Sequence, residues 1–188
     1  MTFNFTHSKK IALEKKHDKS SIGFWDKKIS GLCKKINKRK EYYTTSSCSG
    51  RIVLIKDKEK KEKGLFLFRT HNKINFKQLK KELENLKNTK ELIYFKQEPC
   101  LVVIACNSSE KQQEILNKAR NAGWKKSGII TIINKRIVEL MSTEKISFPI
   151  MNKGEILVND NFLKLIIKES NRKLKKTWDK IIQLDGII

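Results

Sequence analysis

Five stretches of the chain predict helices, several of them by apolar residues that recur at helical spacing. In the clearest stretch, one helix face carries Trp25, Ile29, Leu32 and Ile36, three or four residues apart. In the first stretch, the expected apolar contacts are Phe5, Ile11 and Leu13. The five predicted helices cover residues 3–16, 25–39, 76–86, 108–122 and 159–188, with Ser108 or Ser109 as the cap of the fourth and Gly123 at its end.

Short runs of β-branched and aromatic residues lie between these helices and predict strands. The predicted strands are 42–45, 51–55, 65–68, 93–95, 101–104, 129–133, 137–141 and 156–158. The polar stretch 56–63 is expected to be a long, mobile connection. The pattern predicts an α+β fold with helices on a mixed β-sheet. A single domain is expected over 1–188, with a helical part at 1–40, the sheet and its helices at 41–158, and a C-terminal helix at 159–188.

Composition adds a strong positive charge to this picture. The 188 residues include 42 Lys and Arg against 20 Asp and Glu, a formal net charge of +22. Such a field attracts polyanions, so RNA is the leading partner class and an anionic membrane surface the second. An A/T-rich genome would explain many individual lysines, but it would not explain why glutamates do not balance their charge. With 38% hydrophobic residues, the chain can still form a packed core.

The four cysteines indicate neither a zinc site nor a disulfide framework. Cys33, Cys48, Cys100 and Cys106 form no CxxC pair, so no metal site is expected. The first residues lack the apolar run of a signal peptide, and no apolar stretch reaches the ~20 residues of a membrane span. The sequence therefore predicts a soluble, cytoplasmic protein with reduced cysteines.

The most unusual stretch reads YTTSSCSGR at residues 43–51. A turn between two strands is expected at Ser46, Ser47, Cys48, Ser49 and Gly50. Hydroxyl groups and exposed N–H groups in such a turn could bind a phosphate or a carboxylate, with Arg51 adding a bidentate fork. The alternative is an ordinary Ser/Gly turn followed by a surface arginine.

Further candidate residues lie at predicted strand ends and turns. His71 follows a strand and is a candidate proton acceptor or stacking group, or a structural histidine. Glu98, before Pro99, is a candidate ligand for ribose hydroxyls or a cation, or a solvated turn carboxylate. The segment GWKKSG at 123–128 combines an aromatic residue with two cations, which suits single-stranded RNA. Its alternative is a helix C-cap followed by a core tryptophan.

The residues alone do not specify a reaction. The chain has no GxGxxG after an early strand, and it has no P-loop, GxSxG or HExxH motif. The usual fingerprint of a Rossmann dinucleotide-binding protein or methyltransferase is therefore absent.

The ordered set of motifs resembles the tRNA wybutosine-synthesising protein 3 family. The block 43–52 matches the family signature almost letter for letter, and a histidine after a strand corresponds to His71. A Glu-Pro pair with a cysteine seven residues beyond the proline corresponds to Glu98, Pro99 and Cys106. The pattern Ala-x-x-x-Gly-aromatic-basic-x-Ser-Gly-Ile corresponds to residues 119–129, and Ser142-Thr143, Pro149 and the region of Asn171 also fall in register. The resemblance covers nearly the whole chain.

This resemblance implies a methyltransferase that uses S-adenosyl-L-methionine and is not Rossmann-like. It implies N4-methylation of a 4-demethylwyosine-type guanosine next to the anticodon of tRNA-Phe. Arg51 and His71 are the expected catalytic residues. The expected substrate or cofactor contacts are Ser46, Ser47, Cys48, Ser49, Gly50, Glu98, Pro99, Trp124, Lys125, Ser127 and Gly128. We expect the turn at 47–51, His71, Glu98 and the 127–128 segment to converge at one pocket.

The chain departs from the family pattern at three places. At 19–23 the chain reads KSSIG where many members have Lys-Gly-Ser-Val-Asp, so that Gly23 stands in place of the acid. Val103 stands in place of a histidine, and Met141 stands in place of an arginine. Two alternatives to the family function therefore stay open. They are a non-catalytic basic RNA-binding module and a divergent relative with another tRNA substrate.

Overall fold

The computed structural model describes residues 3–14, 26–58 and 64–188. The chain divides into two compact units, each built from separate stretches of sequence. The first unit comprises Met1–Ser49, Pro99–Thr143 and Thr177–Ile188, and the second comprises Gly50–Glu98 and Glu144–Lys176. Whether the two units act as the single domain expected from the sequence stays a prediction.

The described residues form helices and strands in both units. In chain order they are α1 Phe5–Glu14, α2 Lys27–Lys38, β1 Tyr42–Cys48, β2 Arg51–Lys56, β3 Phe66–Thr70, α3 Phe76–Asn85, β4 Ile93–Glu98, β5 Leu101–Cys106, α4 Ser109–Asn121, β6 Gly128–Thr131, β7 Arg136–Met141, β8 Ile146–Asn152, β9 Glu155–Ile156 and α5 Asp160–Ile187. Helix α5 contributes its residues up to Lys176 to the second unit and the rest to the first.

The first unit is built on a four-stranded antiparallel sheet in the order β1-β5-β7-β6. The apolar face of α2 is buried, as the helical spacing of Ile29, Leu32 and Ile36 predicts. These residues join one core cluster with Trp124 and with Leu184 of α5. Residues distant in sequence thus complete this core.

The second unit is built on a five-stranded antiparallel sheet in the order β3-β2-β4-β8-β9. One face of this sheet carries buried Phe95, whose ring stacks on Phe148 with centroids 5.4 Å apart. The Phe148 ring meets Phe162 of α5 edge-on at 5.3 Å. The helical layer of this unit therefore lies against that face.

The α+β class is confirmed, whereas the single mixed sheet was wrong in detail. The structure has two sheets, and every strand pairing within the described residues is antiparallel. Strand β8 was not predicted, because it contains Pro149, a residue rare inside sheets. Pro149 is compatible with β8 because the neighbouring strand β9 pairs only with Met151 and Asn152 and does not extend alongside the proline.

Two further expectations need correction. Ile11 and Leu13 of α1 are exposed rather than core residues. Phe5, in contrast, packs on the Tyr43 ring with centroids 5.3 Å apart. Trp25 and residues 59–63 of the expected connection lie outside the described residues. Within the described residues, no helix is both long and apolar enough to cross a membrane.

Candidate functional site

The serine-rich stretch is mostly strand, not turn. Strand β1 continues to Cys48, and its last three residues pair with β5 as Ser46↔Val103, Ser47↔Val102 and Cys48↔Leu101. The turn expected from Ser46 onward is therefore limited to Ser49 and Gly50. Gly50 has a φ of 90°, a left-handed conformation that glycine adopts without strain.

Two side chains close to the ends of α2 form hydrogen bonds with the serine-rich stretch. The Asp26 carboxylate, just before α2, accepts hydrogen bonds from the Ser49 backbone N–H (3.1 Å) and hydroxyl. Asn37, near the other end of α2, bonds the Thr44 backbone N–H (2.8 Å) and side-chain oxygen (3.0 Å). Sequence reasoning missed both residues. Asp26 stands at an N-cap position, but its side chain binds Ser49 and does not cap the helix.

The serine-rich strand presents only some of its polar side chains to solvent. Ser47 and Ser49 are buried, whereas Ser46 and Cys48 are half-buried. Because alternate residues of a strand face the same side, Ser46 and Cys48 share one face. Among the predicted site residues of this stretch, Ser46 and Cys48 are therefore more accessible to a ligand than the buried serines are.

Burial extends the protonated state of two neighbouring groups, a phenol and a thiol, to higher pH. It raises the pKa of the Tyr43 phenol, an effect that outweighs the opposing hydrogen bond to Ser8. Burial also raises the pKa of the Cys106 thiol, in β5, to about 12. Neither group is ionised near neutral pH, so neither provides an anionic base there.

In the second unit, Arg51 and Glu98 form an ion pair. The arginine Nε lies 2.5 Å from the Glu98 Oε2, and both side chains are partly exposed. The Glu98 contact uses Nε, and the Nη groups of a guanidinium carry four further N–H donors. The arrangement offers a cation and a carboxylate side by side, suited to a ligand that carries both charges.

His71 lies next to the same stretch of chain. Its Nδ1 is 3.0 Å from the Gly50 carbonyl oxygen. A carbonyl only accepts hydrogen bonds, so Nδ1 carries a proton and Nε2 is the basic nitrogen of the neutral ring. Asn171 of α5 bonds both the backbone N–H (3.0 Å) and the carbonyl (2.8 Å) of Ile74, which fixes the segment that follows His71.

The prediction that Trp124 stacks on RNA bases was wrong. The indole is 0% exposed, belongs to the core cluster of the first unit, and donates to the Lys180 carbonyl at 3.0 Å. The alternative of a C-cap followed by a core tryptophan is correct, because Gly123 after α4 has a φ of 83°. Lys125, the next residue, is exposed.

The polar groups of Ser127 have partners inside the first unit. Its hydroxyl donates to the Trp124 carbonyl (2.6 Å) and accepts from the Met141 N–H (3.0 Å). Its N–H bonds the Trp124 carbonyl, and its carbonyl accepts from Arg120. Gly128 begins β6 opposite Glu139. A structural role thus accounts for Ser127, whereas a ligand role for Gly128 and half-buried Pro99 stays a prediction.

The predicted residues therefore fall into two sets, one in each unit. Gly50, Arg51, His71 and Glu98 gather in the second unit through the ion pair and the histidine contact. The first unit holds Ser46, Ser47, Cys48, Ser49, Pro99, Trp124, Lys125, Ser127 and Gly128. Convergence of both sets at one pocket stays a prediction.

Comparison with known proteins gives consistent matches. The sequence model of the family described as Methyltransferase TYW3 matches residues 7–188. A relative from Methanocaldococcus jannaschii is 37% identical over 166 residues, covering 86% of this chain and 84% of its own. A relative from Thermococcus sibiricus is 32% identical over 188 residues, covering 98% and 94%. Both are named tRNA(Phe) 7-((3-amino-3-carboxypropyl)-4-demethylwyosine(37)-N(4))-methyltransferase.

A solved structure shares the fold. The PH1069 protein from Pyrococcus horikoshii OT3 superimposes with a TM-score of 0.83 at 27% sequence identity. The alignment covers 97% of this chain and 92% of that one. The similarity thus extends over nearly the full length of both chains.

Proposed function

The chain belongs to the Methyltransferase TYW3 family, and we propose that it methylates N4 of 7-(3-amino-3-carboxypropyl)-4-demethylwyosine at position 37 of tRNA(Phe), a step of wybutosine biosynthesis. The family match over residues 7–188 carries this proposal. A tRNA substrate agrees with the formal net charge of +22, because phosphate contacts dominate RNA affinity. It also agrees with the cytoplasmic location expected from the sequence.

Arg51 is proposed to bind the carboxylate of the substrate's 3-amino-3-carboxypropyl group. A guanidinium binds a carboxylate with two parallel hydrogen bonds, which fixes orientation as well as position. Glu98 holds the guanidinium through Nε at 2.5 Å. The Nη groups then supply the donors for the substrate carboxylate.

His71 is proposed to orient the base and to accept its proton. Methylation of an N–H nitrogen releases one proton, and an imidazole with a basic ring nitrogen is a suitable group to accept it. The contact of Nδ1 with the Gly50 carbonyl sets the tautomer in which Nε2 is basic. Asn171, through Ile74, helps to fix the segment that follows the histidine.

The donor set is chemically suited to S-adenosyl-L-methionine, which is the proposed methyl donor. The cofactor carries a ribose diol and an α-amino group, and both are groups that a carboxylate such as that of Glu98 can bind. When bound, it supplies the methyl group on its sulfonium. The remaining contribution of the chain is alignment, which provides on the order of 7–11 kcal/mol in favourable systems.

The experiment that tests this function is a methylation assay. Phenylalanine tRNA that carries the demethylated precursor is incubated with the protein, with and without S-adenosyl-L-methionine, and anticodon-loop nucleosides are weighed by mass spectrometry. We expect a gain of one methyl group on that nucleoside only when the cofactor is present. A gain on another nucleoside would indicate a divergent relative with a different substrate.

A binding assay run in parallel separates the alternatives. Tight, salt-dependent tRNA binding without any methyl gain and without cofactor binding would favour a non-catalytic RNA-binding module. Neither binding nor methylation would contradict the proposed function altogether.

A further inference from the structure

One face of the second sheet carries cationic and aromatic side chains in register. In β2, Val53 lies directly opposite Arg69 of β3 on one side and Lys96 of β4 on the other. Residues directly opposite each other in a sheet share a face, so these three side chains form one row. Val53 is fully buried between them, as expected where long cationic side chains lie along an apolar surface.

A neighbouring row on the same face is aromatic. Ile55 of β2 lies opposite Phe66 of β3 and Tyr94 of β4. Phe66 is 39% exposed and Tyr94 is half-buried. Strand geometry places the two rows roughly 7 Å apart, since each residue advances the strand about 3.3–3.4 Å.

Contacts between the rows confirm that the side chains share one surface. The guanidinium groups of Arg51 and Arg69 lie 4.8 and 5.8 Å from the Phe66 ring centroid. The Lys96 ammonium lies 5.3 Å from the Tyr94 ring centroid. We call the surface formed by Arg69, Lys96, Phe66 and Tyr94 the basic-aromatic face.

The basic-aromatic face is the side of the sheet away from the helical layer. Phe95, next to Tyr94 in the strand, is buried on the opposite side, where Phe148 and Phe162 of α5 pack. The β8 residues that lie opposite Tyr94 and Lys96 are Pro149 and Ser147, and both are exposed. The second unit thus turns aromatic rings and cations outward rather than into its core.

We infer that the basic-aromatic face binds unpaired nucleotides of the substrate RNA, with bases stacked on Phe66 and Tyr94 and phosphates at Arg69 and Lys96. This inference rests on the proposed function, since it takes the anticodon loop of tRNA as the ligand. Stacking rings beside cations suit single-stranded RNA, because every base has a π-face and every nucleotide a phosphate. Arg51 joins this face to the proposed substrate site, so the bound nucleotides are neighbours of the methylated one.

Two double variants with equal loss of charge test the inference. Arg69→Gln with Lys96→Gln changes the face, and Lys168→Gln with Arg172→Gln removes the same charge from α5 in the same unit. A third variant, Phe66→Leu with Tyr94→Leu, removes the rings without changing charge. Affinity is measured by fluorescence anisotropy for an RNA stem-loop with the anticodon-arm sequence and for a fully paired duplex of equal length.

We expect the ring variant to weaken stem-loop binding by about tenfold or more while duplex binding changes little. The Arg69/Lys96 variant should weaken stem-loop binding more than the Lys168/Arg172 variant does, with a shallower salt dependence than wild type. The conservative pair Phe66→Tyr with Tyr94→Phe keeps both rings and should bind as wild type. Melting curves establish that each variant is folded.

The inference is overturned if the ring variant binds the stem-loop as tightly as wild type, or if both charge variants lose affinity equally. Its failure is distinct from that of the proposed function. Wild-type protein that methylates the precursor, with face variants that bind normally, would overturn this inference alone. Wild-type protein that does not methylate, with face variants that lose stem-loop binding, would overturn the proposed function and support the face.

Discussion

Arg51 and Glu98 lie directly opposite each other on antiparallel strands, 47 residues apart in sequence, with Nε and Oε2 separated by 2.5 Å. The sheet register therefore positions both groups, and neither depends on a flexible loop for its place. A site built on paired strands is held more accurately than one built on loops. The pair also lies where β2 begins and β4 ends, so the polar ends of both side chains reach solvent.

Replacement of Arg51 should impair catalysis far more than folding. We expect Arg51→Gln to lower methyl transfer roughly 10- to 100-fold, because one hydrogen bond to a charged group contributes about 1.5–3 kcal/mol. Both side chains keep some contact with solvent, so water can hydrate the Glu98 carboxylate in the variant and we expect melting to change little. Single-turnover methylation measures the effect on catalysis, and thermal melting measures the effect on folding. The control variant Arg51→Lys keeps the positive charge but loses the bidentate guanidinium geometry. Wild-type turnover in a folded Arg51→Gln protein would show that the guanidinium has no catalytic role.

Asn171 is expected to be important for stability. Its side chain bonds both backbone polar groups of buried Ile74, at 3.0 and 2.8 Å. Asn171→Ala leaves those groups without partners and should lower the free energy of unfolding by about 1–3 kcal/mol. Denaturant unfolding measures the loss, and Asn161→Ala, an exposed position of the same helix, is the matched control. Equal midpoints for the two variants would contradict the importance of the Asn171 contacts.

Stability should fall at alkaline pH. Tyr42 and Cys106 lie directly opposite each other in β1 and β5, and burial raises the pKa of both groups, that of Cys106 from 9.0 to about 12. Above about pH 9 the unfolded chain releases the thiol proton while the folded chain keeps it, so rising pH favours unfolding until about pH 12. Below about pH 9 the thiol is protonated in both the folded and the unfolded chain, so its raised pKa causes no loss of stability there.

The control for this pH dependence is Cys106→Ala, which removes one of the two titrating groups. Its free energy of unfolding should fall less steeply than that of wild type between about pH 9 and about pH 11. Parallel curves for the two proteins would show that the Cys106 thiol does not titrate as described.

Two glycines should respond to alanine in opposite directions. At Gly154, with a φ of 80°, an added Cβ would lie 1.9 Å from the Lys87 carbonyl oxygen. Gly154→Ala should therefore destabilise the protein by about 2–4 kcal/mol through backbone strain and overpacking. At Gly31, inside α2, an added Cβ meets nothing within 4 Å, so Gly31→Ala should stabilise by about 0.5–1 kcal/mol. Chemical denaturation of both variants checks the signs. A change in the same direction for both would contradict either the steric conflict at Gly154 or the free space at Gly31.

Helices with strong periodicity were well predicted from sequence. The spacing of Ile29, Leu32 and Ile36 identified α2. Of the two candidate caps of α4, Ser108 and Ser109, the structure has Ser108 as the cap, and Gly123 follows the helix as predicted. In these elements local signals and burial agree, because the apolar face that defines the pattern is the face that is buried. Strand β8 was not predicted because a proline such as Pro149 disfavours a strand. It is compatible with one only where the neighbouring strand, here β9, does not extend alongside it.

The parts of the site that depend on distant partners were not predictable. Trp124 stands beside two lysines and is locally typical of an exposed residue, but its indole bonds a carbonyl 56 residues away. Asp26 was overlooked because its partner Ser49 is 23 residues away. In contrast, His71 was identified as a residue just past a strand end, and that placement is confirmed.

The discontinuous make-up of the two units has a consequence for the order in which the protein matures on the ribosome. The core cluster of the first unit combines residues of α2 with Ile181, Leu184 and Ile188. The second unit, formed by Gly50–Glu98 and Glu144–Lys176, lies between these partners in the chain. All segments of the second unit are therefore synthesised before the last segment of the first unit. Until residue 181 has been synthesised, the apolar face of α2 lacks part of its packing, and such transiently exposed apolar surface is prone to aggregation.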